Sequence, residues 1–139
     1  MMTWTENELN KIGNAEELQI ATRLRDGTLR KKVTIWVVRV GDNIYIRSYN
    51  GHNGAWYKSA LVRHEGVIRA GGIKKDVRLG EVSDLDLLEQ VDAAYQNKYG
   101  RYPQHVAPML TDDVRGTTLK LMLMPEETSD ESHLFPKGE

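Results

Sequence analysis

The run from Lys31 to Lys58 constrains this chain most, because an apolar hairpin with almost no loop empties directly into a glycine-rich, aromatic lip. Val33, Ile35 and Val37 alternate with Thr34, Trp36, Val38 and Val40, so the second half of this strand has almost no polar face. Such a strand is expected to be covered on both sides. Gly41-Asp42-Asn43 then turns the chain tightly into Ile44 to Tyr49, where Ile44, Ile46 and Ser48 oppose Tyr45, Arg47 and Tyr49. Asn50-Gly51-His52-Asn53-Gly54-Ala55-Trp56-Tyr57-Lys58 follows. A stiff β platform ending in a flexible, aromatic and cationic lip suits a planar ring carrying a phosphate better than a bond-cleaving site.

The flanking segments supply more strands than helices. Thr5-Glu6-Asn7-Glu8 has capping-box spacing ahead of Leu9 and Ile12, with Gly13 as a stop, which predicts one short N-terminal helix. Leu18, Ile20 and Thr22 change the period to two, and Asp26-Gly27 marks a hairpin turn into a return strand from about Leu29 to Val40. Gly71-Gly72 joins strands at Val67 to Ala70 and Ile73 to Leu79. Ser83 caps an expected helix in which Leu85, Leu88, Val91, Tyr95 and Tyr99 recur every three or four residues, ending at Gly100. A last strand spans Thr117 to Met124, broken by Pro125. The fold class is therefore mainly β (α+β): a six-stranded closed or split β-barrel, with one helix before the last strand and a short helix at the start. One domain over residues 1–125 is expected, with residues 126–139 an acidic, disordered tail.

Composition narrows the partners. With 139 residues and a net charge of −1, the chain has no global basic field for nucleic acid or an anionic membrane. The absence of cysteine removes disulfides, thiolate nucleophiles and cysteine-based metal knots, and fits a reducing compartment, with the cytoplasm expected. No apolar run approaches the roughly 20 residues of a membrane span, and the first residues do not resemble an export signal. His52, His64, His105 and His133 lack metal-ligand spacing, and no Walker loop, Gly-x-Gly-x-x-Gly or Gly-x-Ser-x-Gly is present.

What remains is a set of binding residues, each with a plainer alternative. Lys32 and Thr34 project from one side of a strand and can clamp an anion, or Arg30, Lys31 and Lys32 are a solvated guard against edge pairing. Trp56-Tyr57-Lys58 can lay an aromatic on a heterocycle while the ammonium meets its phosphate, or the two rings simply anchor a loop. Arg47 and Ser48 end a strand at the same lip, as ligand donors or as an exposed arginine and a turn serine.

Taken in order, Asp26-Gly27, Arg30, Lys32-x-Thr34-Ile35-Trp36-Val37-Val38, Gly41-Asp42-x-Ile44-Tyr45, Ser48, Gly51 and Ala55-Trp56-Tyr57-Lys58 resemble the flavin-binding split β-barrel superfamily. The resemblance is to a small bacterial family related to deazaflavin-dependent nitroreductases and, more distantly, to pyridoxamine phosphate oxidases. It covers roughly Leu18 to Leu79 and, more weakly, Thr117 to Pro125. It implies that Lys32, Thr34 and Ser48 lie near cofactor phosphate and that Trp56, Tyr57 and Lys58 fall on the loop covering phosphate and ring. Ser59 and Ala60 stand where the nitroreductases carry asparagine and leucine. The resemblance further implies FMN or a deazaflavin as cofactor, a homodimer with the cofactor at its seam, and an oxidoreductase acting on a small molecule. The alternative is a non-catalytic ligand binder or dimeric scaffold that kept the barrel and lost the cofactor.

Overall fold

In the computed structural model, residues 3–125 are described, and the tail expected over residues 126–139 lies outside the described residues. The chain order is α1 (Glu6–Gly13), β1 (Leu18–Thr22), β2 (Val33–Ile35), β3 (Val38–Val40), β4 (Asn43–Ile46), a 3-10 turn (Gly51–Asn53), α2 (Ala55–Arg63), β5 (Glu65–Ala70), β6 (Ile73–Glu81), α3 (Leu85–Tyr99), α4 (Pro103–Met109), α5 (Asp112–Arg115) and β7 (Leu119–Leu123).

The seven strands form one antiparallel sheet in the order β2-β1-β5-β6-β7-β4-β3. Its two edge strands, β2 and β3, are neighbours in sequence, separated only by Trp36 and Val37. Three Cα steps reach at most about 11 Å, so the sheet must curl until its own edges almost meet. That is a split barrel, as expected, but with seven strands instead of six. The return strand expected from Leu29 to Val40 breaks at Trp36-Val37, because its two halves serve opposite edges of the sheet.

Alternation divides this run between two cores. Val37, Ile44 and Ile46 point into the barrel with Leu9, Ile12, Ile20, Ile68, Leu79 and Leu121. Val38 and Tyr45 point outward and pack beneath the later helices with Val91, Tyr95, Tyr99, Val106, Met109 and Val114. The strand without a polar face is thus covered on both sides at Val37 and Val38, both buried.

Local signals explain most boundaries. The capping box at α1 is formed: the Glu8 N–H donates to Thr5 Oγ1 at 3.1 Å and the Thr5 N–H donates to Glu8 Oε1 at 2.9 Å. Gly71 and Gly72 take φ of +57° and +82° in a two-residue hairpin turn. The cap of α3 is Asp84, one residue beyond the expected Ser83, and Leu85 is exposed instead of joining the apolar stripe. β7 starts two residues later than expected, because the Thr117 and Thr118 hydroxyls donate to the carbonyls of Val114 and Arg115 at the end of α5.

The clearest difference concerns the lip. Only its first part is loop: Ala55–Arg63 is helix α2, and Trp56, Tyr57 and Lys58 sit on its first turn. Glycine stops at Gly54, and the next nine residues contain no breaker and turn Trp56, Tyr57 and Ala60 inward together.

Candidate functional site

A cleft of about 420 Å³ opens along the free edge of β2. Val33 to Trp36 form one wall, Trp56 of α2 and Asn50 and Tyr49 the second, and His105 and Met109 of α4 the third. The size is within the range that holds a drug-sized ligand, and the lining is mostly apolar with a few polar groups, as small-molecule sites usually are. Trp36 is held from behind by Tyr99, with ring centroids 3.9 Å apart and planes 4° from parallel. Trp56 is 7% exposed and meets Tyr57 edge to face at 6.3 Å. The cleft therefore has rigid aromatic walls.

The residues singled out from sequence divide among several places. Thr34 and Trp56 line this cleft. Lys32 lines a different, smaller trough of about 200 Å³ on the outer sheet face, alongside Arg69 and Lys74. Lys58 is exposed on α2 and lines neither cavity. Lys32, Thr34 and Lys58 are thus not gathered around one anion within a single chain. Tyr57 is buried in the barrel core at 3% exposure, where desolvation raises its pKa.

Arg47 and Ser48 are both buried, so they are not the exposed arginine and turn serine of the plainer alternative. The Arg47 side chain is fully buried; its Nε donates to Thr118 Oγ1, Nη1 to the Met109 carbonyl and Nη2 to the Leu88 carbonyl. Asp92 lies 2.6 Å from Arg47 Nη1 and 3.0 Å from Arg115 Nε, both off hydrogen-bond geometry, so these contacts are Coulombic. Arg47, directly after β4, thereby ties the end of that strand to α3, α4 and the turn ahead of β7. Ser48 Oγ donates to the Gly51 carbonyl at 2.8 Å, and its N–H donates to Thr117 Oγ1. A Cβ on Gly54 would collide with that Ser48 hydroxyl, so this glycine serves a close approach and not a mobile loop.

Two features escaped the sequence reading. His105 and Met109 reach the cleft on α4, a helix signalled only by Pro103 at its first turn. Asp113, on α5, lies 2.6 Å from His52 Nδ1, and the imidazole lowers the carboxyl's pKa. Thr111, which accepts from the Val114 N–H, with Asp112 and Asp113 behind it, is a readable start for α5.

Residues 8–121 match the model of a bacterial family described as "Uncharacterized protein conserved in bacteria (DUF2255)". The chain belongs to this family. No curated protein matches the sequence. Among solved structures, the DUF2255 chain is similar to an F420-H2 dependent reductase, FDR-A, at 13% identity and a TM-score of 0.56, over 77% of this chain and 93% of that one. It is similar to the heme storage protein HutZ from Vibrio cholerae at 17% identity and 0.60, over 87% and 89%. A FAD-binding protein from Mesorhizobium loti matches at 15% identity and 0.53, over 88% and 91%. At such identities the likeness concerns the fold alone: this DUF2255 member has a split-barrel fold. Among the described residues no helix is long and apolar enough to cross a membrane.

A flavin-type group meets this site halfway. The aromatic walls and the few polar lining residues, Thr34, Asn50 and His105, suit the ring portion. For the phosphate portion, Arg47 is the only Lys or Arg lining the cleft among the described residues, and each of its three nitrogens already donates to a protein oxygen.

Proposed function

We propose that the chain binds a flavin-type cofactor, FMN or a deazaflavin, with the ring in the cleft along β2, and serves an oxidoreductase reaction on a small molecule. The observation that carries this reading is the cleft of about 420 Å³ walled by Trp36 and Trp56. Resemblance to proteins described as an F420-H2 dependent reductase and as FAD-binding supports it. The cofactor would supply the hydride chemistry, while Thr34, Asn50, His105 and the two tryptophans bind and orient the ring and keep water from its face. Since Lys32 and Lys58 lie outside the cleft, we assign the phosphate to one of them across a homodimer seam, in a cytoplasmic protein.

Tryptophan fluorescence and thermal shift, read while FMN, FAD, F420 or heme is added, test this directly. Saturable quenching and stabilisation by a flavin or deazaflavin, weakened in Thr34→Val and His105→Ala, are expected. A purified protein that none of these compounds stabilises ends the proposal. Size-exclusion chromatography with light scattering tests the seam, since a strictly monomeric protein leaves the phosphate without a cation.

A second reading follows from Arg47 and Ser48, whose polar groups are spent on structure. On that reading the cleft takes an uncharged planar ligand without turnover. Stabilisation by aromatic compounds that lack a phosphate, with none from flavins, selects it.

A further inference from the structure

The other free edge of the sheet, β3, forms the floor of a separate groove of about 630 Å³ between α1 and α3. It shares no lining residue with the cleft at β2. The β3–β4 hairpin closes through Gly41-Asp42, with Val40 opposite Asn43 and Val38 opposite Tyr45. In a two-residue hairpin the pair flanking the turn exchanges hydrogen bonds and the next pair does not. Val40 and Val38 therefore bond to β4, while the N–H and C=O of Arg39 point off the sheet edge.

Val37 points its backbone the same way, and both of its groups are occupied. Its N–H donates to Tyr99 Oη at 3.1 Å, and its carbonyl accepts from Lys98 Nζ at 2.6 Å. Among the described residues, no bond outside the hairpin takes up the Arg39 backbone. Helix α1 closes one flank so tightly that a Cβ on Gly13 would lie 3.0 Å from Arg39 Cβ.

The walls have a definite chemistry. Asn10 and Asn14 from one side face Gln90 and Asn97 from the other, and no aspartate or glutamate lines the groove. The Arg39 guanidinium is already satisfied by Asn10, the Gly41 carbonyl and Glu6. Lys98 forms no ion pair among the described residues, although Glu16 is near enough to act on it at a distance. The groove thus offers an open strand edge, carboxamides suited to peptide bonds, and one ammonium lacking a counter-charge.

We propose that this groove binds the C-terminal end of an extended peptide, which adds to β3 as a further strand and sets its carboxylate on Lys98. Main-chain bonds to Arg39 give the register, as in other strand-addition sites, and Lys98 selects a chain end over a chain interior. The inference does not depend on flavin binding at β2.

The test uses the full chain, isotopically labelled, and two pools of N-acetylated tetrapeptides randomised at every position, one with free carboxylates and one C-terminally amidated. The free-acid pool should shift the Arg39, Val40 and Asn97 amide signals, protect the Arg39 N–H from hydrogen exchange, and bind about tenfold more tightly than the amidated pool. Lys98→Met should abolish that preference and Lys98→Arg should keep it. Equal binding of the two pools overturns the role of Lys98, and the wild-type comparison stands even if Lys98→Met folds poorly. Unmoved Arg39 signals at millimolar pool concentration overturn the site, as does protection of Arg39 by self-association without peptide.

Discussion

Trp36 lies flat on Tyr99, with ring centroids 3.9 Å apart, at the point where the chain steps from one edge of the sheet to the other. The Tyr99 hydroxyl then does for the backbone what a neighbouring strand would have done. It accepts from the Val37 N–H at 3.1 Å and lies within donating distance of the Glu16 and Val37 carbonyls. Tyr99 and its α3 neighbour Lys98 thus satisfy the backbone where the barrel opens.

Tyr99→Phe keeps the stacking and orphans a buried N–H. It should cost about 1–3 kcal/mol. Urea unfolding measures it, and a loss below a few tenths of a kcal/mol would show that the seam does not need this hydroxyl.

Alkaline pH should move stability in two opposite directions. Burial lowers the Lys98 pKa from 10.5 to about 8, so between roughly pH 8 and 10 the unfolded chain carries the extra proton and stability rises with pH. Burial raises Tyr99 to about 12 and Tyr95 further still. Above about pH 10, therefore, the folded state holds more protons than the unfolded one, and stability falls. Urea midpoints from pH 7 to 11 should pass through a maximum, and Lys98→Met should flatten the rising limb. A steady decline from pH 8 would contradict the burial of Lys98.

Arg47→Met should destabilise the protein by about 3–5 kcal/mol, because Asp92 and two carbonyls lose a buried partner. Any loss of ligand binding in this variant should track loss of fold, with both recovering together on cooling. A well-folded Arg47→Met protein that fails only to bind an anionic ligand would return Arg47 to the site.

Gly51→Ala places a Cβ on the Asp113 carboxylate at a φ of +66°. A cost of about 1–3 kcal/mol is expected from the backbone conformation alone, with more from the collision. Adding Asp113→Ala should recover the collision part and leave the rest, a coupling that a double-mutant cycle reads directly. Additive effects would mean that Asp113 does not press against this turn.

Legibility followed the range of the forces involved. The capping box at Thr5, the Gly71-Gly72 turn and the alternation at Leu18 to Thr22 and Leu119 to Leu123 were plain in the sequence, since each is fixed by residues a few positions apart. The motif order from Asp26 to Lys58 likewise pointed to the split barrel. Helix α2 was obscured because Gly51 and Gly54 precede it closely, while its inward face is set by a core assembled from distant strands.

By itself, then, the sequence determined most of the strands and the main helix, which rest on short-range spacing, while the kinship rested on resemblance in the order of motifs along the chain. Only the tertiary structure decided that the strand through Trp36 breaks to serve two edges, that Arg47 is an internal tie, and that Lys32, Thr34 and Lys58 lie apart. Those outcomes depend on closure of a sheet whose partners are far apart along the chain, and local spacing carries no record of which edge meets which.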